Sequence, residues 1–342
     1  MSFDGTQPPT QAQSNGDPRN VARAQVNSEP QADPERASAP WPTYAVLFAN
    51  LALFLGITLE QRHLPSVVFI GGIAWTSAWW SSLQHEAIHG HVFRNPRTAA
   101  IVMAPSFSLW LPYSVYRTSH LRHHCDEALT DPNDDPESFY RSGIEWDELG
   151  RTRRIVLWTN RTLLGRIVIG PWLSIIGFLD EQTARIRRGE AGARRDWVTH
   201  LVLDAAILLW VGPVCGIPLW LYLFAAVWLG TSLTHLRSFA EHRWLPGSGS
   251  RTAMVQAEAP FALLFLNNNL HLAHHAQPEV RWYNLPSASR AMNADVAASA
   301  GAGLYRGYRD VASRFLVRPF CLPVHPNTVQ AEVLVRALLI RS

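Results

Sequence analysis

Hydrophobic and polar residues alternate in long blocks along this chain. Residues 1 to about 40 are rich in Pro, Gln, Ser, Asn and Asp and show no apolar period, so they are predicted to form a disordered tail. Nearly uncharged blocks follow at 41–59, 64–83, 197–216 and 217–236. Each is about 20 residues long, the length with which an α-helix crosses a hydrocarbon core of roughly 30 Å. The short link within each pair predicts two transmembrane hairpins.

Two other apolar stretches are predicted to stay at the membrane surface. Residues 99–116 are interrupted by Pro105 and Pro112, which favours an interfacial or re-entrant segment. Residues 155–179 contain Arg161 and Arg166, and a central arginine costs about 2.5–3.5 kcal/mol on insertion scales. Residues 327–341 predict a capped interfacial helix. The predicted fold is an all-α integral membrane protein with four transmembrane helices in two hairpins and a helical cap.

Arginine distribution predicts the orientation. The chain has 30 basic residues and no lysine, and its arginines are concentrated in the loops at 94–97, 117–122, 151–166 and 185–195. The connections within the hairpins carry one arginine between them. By the positive-inside rule, both termini and the cap face the cytoplasm. The net charge of +3 is too small and too scattered to predict nucleic-acid binding.

Histidine is the residue type that predicts chemistry. Fourteen histidines are present, and most lie in three short runs: His85-Glu-Ala-Ile-His89 with His91, His120-Leu-Arg-His-His124, and His271-Leu-Ala-His-His275. In a helix, positions i, i+3 and i+4 share one face. Imidazole is a ligand for iron, copper, nickel and zinc, and these runs hold more imidazoles than one ion uses. The pattern predicts a centre with more than one metal ion.

The predicted topology brings eight of these imidazoles to one membrane face, about four for each of two ions. His242 is a ninth candidate, because the helix that leaves the last span carries it to the same region. His91 and His235 are less favoured as direct ligands. His63, His200 and His325 are isolated, which is typical of structural histidines.

Other cofactor sites find no support in the sequence. Cys125, Cys215 and Cys321 are far apart and form no CxxC pair, which argues against a disulfide framework and an iron–sulfur or zinc-thiolate site. No GxGxxG motif opens a helix after a strand, so electrons must come from another protein. The acidic stretch 126–137 lacks the glycine of a calcium loop and is predicted to be a solvated loop.

Four segments together resemble the histidine boxes of the membrane fatty-acid desaturase family: HEAIHGH, YRTSHLRHHCDEALTDPNDDPES, SFAEHRW and NNNLHLAHHAQPEVRWYNLP. The resemblance covers about residues 41–290, which would be a desaturase domain between the tail and a C-terminal cytoplasmic or interfacial segment at 291–342. It implies two non-haem irons at the cytoplasmic face of a bacterial inner membrane. The ligands it implies are His85, His89, His120, His123, His124, His242, His271, His274 and His275.

The resemblance also implies O2 and an external electron donor such as ferredoxin, cytochrome b5 or rubredoxin. Its substrate would be an acyl chain or a small aliphatic metabolite, since the motif style is similar to a bacterial branch that includes a desaturase of dihydrorhizobitoxine. A ligating histidine normally donates its other N–H to a nearby acceptor. Candidates for that role are Asp126, Asp135, Glu241, Asn267, Asn268 and Asn269, although the asparagines could instead cap the helix that bears His271.

Three alternatives remain at this point. Hydroxylases and carotenoid ketolases have similar boxes, and no rule separates them from desaturases by sequence. His85-Glu-Ala-Ile-His89 is also an HExxH motif, in which Glu86 would be the general base of a membrane zinc protease. A metal transporter is the third, but transport sites lie near the bilayer midplane rather than at helix ends.

Overall fold

The structure is a computed structural model, and it describes residues 40–124, 128–246 and 250–328. The predicted tail lies outside these ranges except for Pro40, and so does all but the start of the predicted helix at 327–341. The described residues from Trp41 to Thr328 form one compact unit.

The described part of the chain is mostly helical, as predicted. Its helices are α1 (Trp41–Leu59), α2 (Ser66–Ile88), α3 (Pro96–Val102), α4 (Tyr113–His123), α5 (Gly143–Glu148), α6 (Arg151–Thr159), α7 (Leu163–Val168), α8 (Gly170–Arg187), α9 (Ala193–Val214), α10 (Leu219–Ser238), α11 (Ala259–Leu264), α12 (His271–Ala276), α13 (Leu285–Ala291), α14 (Ala294–Ala300) and α15 (Tyr308–Phe315). The last turn of α9 and residues Leu223–Leu229 of α10 are π-helical.

In the part of the chain that the structure describes, three helices are long and apolar enough to cross a membrane: α1, α9 and α10. They correspond to three of the four predicted spans. The fourth predicted span lies in α2, which is a 23-residue helix but is less apolar than the other three.

Polar side chains of α2 bond to neighbouring elements rather than to solvent. Ser82 Oγ donates to the Leu264 carbonyl (2.8 Å), and Gln84 Nε2 donates to the Met103 carbonyl (2.8 Å). The indole N–H of Trp80 donates to the Pro105 carbonyl (2.7 Å). Because protein covers most of α2, its side chains need not be apolar enough to face lipid.

Close packing of small residues joins α2 to α10. Ser77 Oγ donates to the Ala226 carbonyl (2.9 Å). A Cβ atom on Gly230 would lie 2.8 Å from both Cβ and Oγ of Ser77. Small side chains therefore set the separation of the two helices, as they do at helix contacts in membranes.

Each of the two stretches predicted to avoid a full crossing is divided between separate helices. Residues 96–123 form α3 and α4 with a non-helical link containing Pro105, and residues 151–187 form α6, α7 and α8. Apolar side chains on the second stretch are exposed, among them Ile155, Trp172 and Ile176. Arg161 and Arg166, however, are buried among other residues of the protein, so these two arginines do not mark a water-facing surface.

The C-terminal part contributes to the same core. Leu304–Tyr305 (β2) pairs in parallel with Met254–Val255 (β1), a two-residue exception to the all-helical prediction. Tyr308 and Val311 of α15 are buried in the main core cluster. The boundary predicted between residues 290 and 291 falls within α13.

Substituting Gly230 tests the α2–α10 contact. Gly230→Ala is expected to lower the unfolding free energy by about 1–3 kcal/mol, because the added methyl group overpacks against Ser77. Gly56→Ala is the control, since Gly56 lies in α1 with open space around it. That change should leave stability unaltered or raise it by about 0.5–1 kcal/mol. Thermal unfolding in detergent measures both, and equal effects would contradict the packing argument.

Candidate metal centre

The structure gathers all nine implied ligands into two groups that could each hold a metal ion. The first group contains His85, His89, His120, His124 and His274. The second contains His123, His242, His271 and His275. Within each group, one ligand atom from every residue lies within 4.8 Å of the others.

Helix ends carry most of these side chains. The first box lies at the C-terminus of α2, the second in the last turn of α4, and the third in α12. His242 lies beyond α10, where its backbone forms a bridge with Thr252. Each HxxHH word contributes to both groups: His123 and His124 are neighbours in sequence but belong to different groups. Each HxxHH motif therefore contributes ligands to both sites. The position of its histidines on one helical face did not predict this division.

The Nε2 atoms within each group lie close together. In the first group, His120 Nε2 is 3.1 Å from Nε2 of His89 and 3.1 Å from Nε2 of His124. In the second, His242 Nε2 is 3.1 Å from Nε2 of His123 and 2.9 Å from Nε2 of His271. Two nitrogens about 2.1 Å from one ion and at right angles to each other are about 3 Å apart. These separations match neighbouring ligands of a metal ion.

In several histidines the other ring nitrogen, Nδ1, forms a hydrogen bond to a residue outside the two groups. His120 Nδ1 donates to Glu137 Oε1 (2.9 Å), and His123 Nδ1 donates to Asp135 Oδ1 (2.8 Å). His271 Nδ1 donates to Asn268 Oδ1 (3.0 Å). A neutral imidazole that donates through Nδ1 presents a lone pair at Nε2. Lone pairs facing each other at 3 Å repel unless a cation lies between them, so the residues present fit a metal ion in each group.

Asp135 anchors the acidic loop to the centre. Its Oδ1 also accepts from the Glu137 backbone N–H (2.9 Å), and its Oδ2 accepts from the Thr130 N–H (2.9 Å). The residue is only 4% exposed. The prediction of a simply solvated loop is therefore wrong at Asp135 and Glu137, which fold back onto the second box. Asp135, one of the predicted hydrogen-bond acceptors, lies 2.8 Å from His123 Nδ1.

The other residues predicted to orient the histidines lie at different positions around the centre. Asn268 links the two groups, because its amide nitrogen lies 3.3 Å from His85 Nε2 while its oxygen accepts from His271. Glu241 Oε1 lies 3.6 Å from His271 Nδ1 and 3.1 Å from Arg237 Nη1. Asp126 lies outside the described residues.

Asn267 and Asn269 instead form hydrogen bonds to main-chain carbonyl groups near the third box. Asn267 has a left-handed backbone (φ 56°), and its side chain donates to the Trp282 carbonyl (2.9 Å). Asn269 donates to the Val255 carbonyl (2.7 Å). No side-chain cap is present at the start of α12, so the alternative capping role does not hold for these asparagines.

Sequence reasoning missed two carboxylates at the centre. The sequence predicts Glu137 only as part of an acidic loop, because its spacing from His120 gives no pattern that reveals the contact. Glu86 was considered only as a protease base. Its Oε2 accepts from His91 Nδ1 (2.9 Å) and from the Trp282 N–H (3.3 Å). Glu86 is thus engaged with His91, and its neighbour His85 shares a group with four other histidines, an arrangement unlike a three-ligand zinc-protease site.

Burial and charge together keep most of these imidazoles neutral. Burial, followed by the neighbouring imidazoles, lowers the pKa of His89 to about 2 and the pKa values of His271 and His274 well below the usual range. Burial would also lower the pKa of His123, but Glu137 and Asp135 raise it to about 9. Burial raises the pKa of Glu241 to about 7. Metal binding requires neutral imidazoles, which burial favours.

The remaining histidines lie elsewhere. His235 is buried between α7 and α8: its Nε2 is 3.2 Å from Ser174 Oγ and its Nδ1 is 3.3 Å from the Arg166 carbonyl. His200 lies 3.1 Å from Asp204, and His325 lies 3.4 Å from Thr130 Oγ1. His63 is exposed. None of them, nor His91, belongs to either group within the described ranges.

The fold and this centre define a class: a helical membrane protein with two adjacent histidine groups suited to metal ions. The chain belongs to the fatty acid desaturase family, whose family model matches residues 62–306. It is accordingly a membrane oxidoreductase, and members of that family typically bind non-haem iron. No curated protein matches the chain.

Asp135 offers a test of the hydrogen bonds that orient the histidines. Asp135→Asn should weaken metal retention about 10–100-fold, because the amide is a weaker acceptor for the His123 N–H. Asp134→Asn is the matched control: the Asp134 side chain is 72% exposed and pairs with the exposed Arg122. Metal content during titration with a chelator measures both, and equal retention in the two variants would contradict this role.

Proposed function

We propose that this protein is an O2-dependent di-iron desaturase that introduces a carbon–carbon double bond into an acyl chain or a small aliphatic metabolite. The observation that supports it most is the division of nine histidines into two adjacent groups, with Nδ1 atoms turned outward to carboxylates and an amide. In this proposal, the first group holds one iron with five imidazoles, and the second holds the other with four.

The reaction requires an oxidant stronger than any amino-acid side chain, because the C–H bonds of an aliphatic chain are not activated. Held by the two histidine groups, a pair of reduced irons with O2 would supply that oxidising power. In balance, the substrate loses two hydrogens, a donor protein supplies two electrons, two protons are taken up, and O2 leaves as two water molecules. The protein residues orient the imidazoles and exclude bulk water from the centre, since most of the nine histidines are buried.

We place the site at the cytoplasmic face of a bacterial inner membrane. In this topology, α1 with α2 and α9 with α10 form two hairpins, and α2 is the fourth span. Its burial between α1 and α10, together with the internal hydrogen bonds of its polar side chains, explains why it is less apolar than the others. The arginine-rich loops then face the cytoplasm, where an acidic donor such as ferredoxin, rubredoxin or cytochrome b5 can dock.

Product analysis tests the reaction itself. Membranes containing the protein, supplied with O2, a reduced ferredoxin system and candidate acyl or small aliphatic substrates, should yield an alkene. His274→Ala should reduce the product at least 100-fold, because it removes a ligand from the first group. His63→Ala, at an exposed histidine, should retain full activity.

Mass spectrometry of the product distinguishes this proposal from its alternatives within the family. Loss of two mass units indicates desaturation. A gain of one oxygen atom would assign the protein to the hydroxylases instead, and a new carbonyl group would assign it to the ketolases.

A further inference from the structure

Two buried arginines share a narrow cleft beside the second histidine group. The cleft lies between Phe139, which follows the acidic loop, the residues at and just before α7, those just after α10 and the segment after α15. The residues that line it are Phe139, Arg161, Arg166, Phe239, His242, Phe320 and Cys321. One wall is thus a residue of the metal centre, and three others are aromatic rings.

Among the described residues, the positive charges of this cleft have no acidic partner. Arg161 is 4% exposed and Arg166 is 2% exposed. Within residues 40–124, 128–246 and 250–328, no carboxylate lies at ion-pair distance from either guanidinium. Burial, followed by the charge of Arg161, lowers the pKa of Arg166 to about 9. Two buried cations side by side are costly unless an anion compensates them.

The two arginines differ in how well the protein satisfies them. Arg161 donates to the main-chain carbonyls of Phe139 and Pro323, which gives it a structural role in holding the C-terminal segment. Arg166 donates only through Nε, to the Asn160 carbonyl (3.2 Å), and its guanidinium stacks 3.7 Å from the centre of the Phe139 ring. Its two Nη groups make no hydrogen bond to the described residues, so they are available to a ligand.

We propose that this cleft binds the carboxylate end of the substrate, with Arg166 as the main anchor and Arg161 beside it. The proposal rests on the proposed function and narrows its substrate class to aliphatic acids. A guanidinium presents parallel N–H groups that match the two oxygens of a carboxylate. The adjoining carbons would follow Phe239 and Phe320 toward His242.

The size of the cleft limits what it accepts. Its side chains enclose about 200 Å³ including the open mouth, yet it is too narrow for a water molecule between them. Binding therefore requires small movements of the side chains that line the cleft. Because Arg166 and His242 line the same small cleft, the carbons that react lie a few bonds from the carboxylate rather than in the middle of a long chain.

Ligand binding to the metal-loaded, full-length protein in detergent tests this proposal without turnover. The probes are hexanoate and hexan-1-ol, which differ in the anionic group, and inorganic phosphate. The readout is the dissociation constant from the ligand-dependent rise in Tm. Hexanoate should bind at least tenfold more tightly than hexan-1-ol and more tightly than phosphate.

Three variants assign the binding to the cleft. Arg166→Gln should weaken hexanoate binding at least tenfold, and Arg166→Lys, which keeps the charge, should weaken it less. Arg153→Gln removes an exposed arginine nearby and should have no effect.

Several outcomes would overturn the proposal: equal binding of hexanoate and hexan-1-ol, tighter binding of phosphate, or equal effects of Arg166→Gln and Arg153→Gln. The comparison of probes on the unchanged protein remains decisive if Arg166→Gln does not fold. A protein that forms alkenes but fails this test would keep its proposed function and lose only the carboxylate anchor.

Discussion

The central constraint on this structure is that nine imidazoles must converge without repelling one another. Burial lowers the pKa of several of them, and a neutral ring can direct its Nε2 lone pair at a common point only if something accepts a hydrogen bond from Nδ1. Three of the rings donate this hydrogen bond, to Asp135, Glu137 and Asn268. The two carboxylates, Asp135 and Glu137, also bring negative charge close to the neutral imidazoles. The acidic loop is therefore part of the metal centre and not merely a connection.

The surrounding fold follows from the need to bring distant segments to one place. His89, His124 and His274 lie on three separate segments, yet their ring centroids are within 5 Å of one another. α2 stands between α1 and α10 and carries the first box, so its polar residues are satisfied by protein rather than by lipid. The small residues Ser77 and Gly230 then fix how closely α10, and with it His242, approaches this helix.

Local sequence patterns predicted much of this arrangement. Length and apolarity predicted α1, α9 and α10, and the repeated HxxHH word predicted a centre with more than one ion. The same patterns could not predict long-range contacts. Glu137 reaches His120 across 17 residues, and Asn268 reaches His85 across 183. Arg161 and Arg166 were predicted at the membrane surface because a charge in an apolar stretch suggests water, whereas backbone carbonyls and an aromatic ring surround them.

Metal analysis of active protein tests the central claim most directly. Anaerobically purified protein is expected to contain two irons per chain, because each of the two groups binds one ion. After His242→Ala, about one iron per chain should remain. A single zinc per chain in fully active protein, or an unchanged iron content after that substitution, would contradict the account.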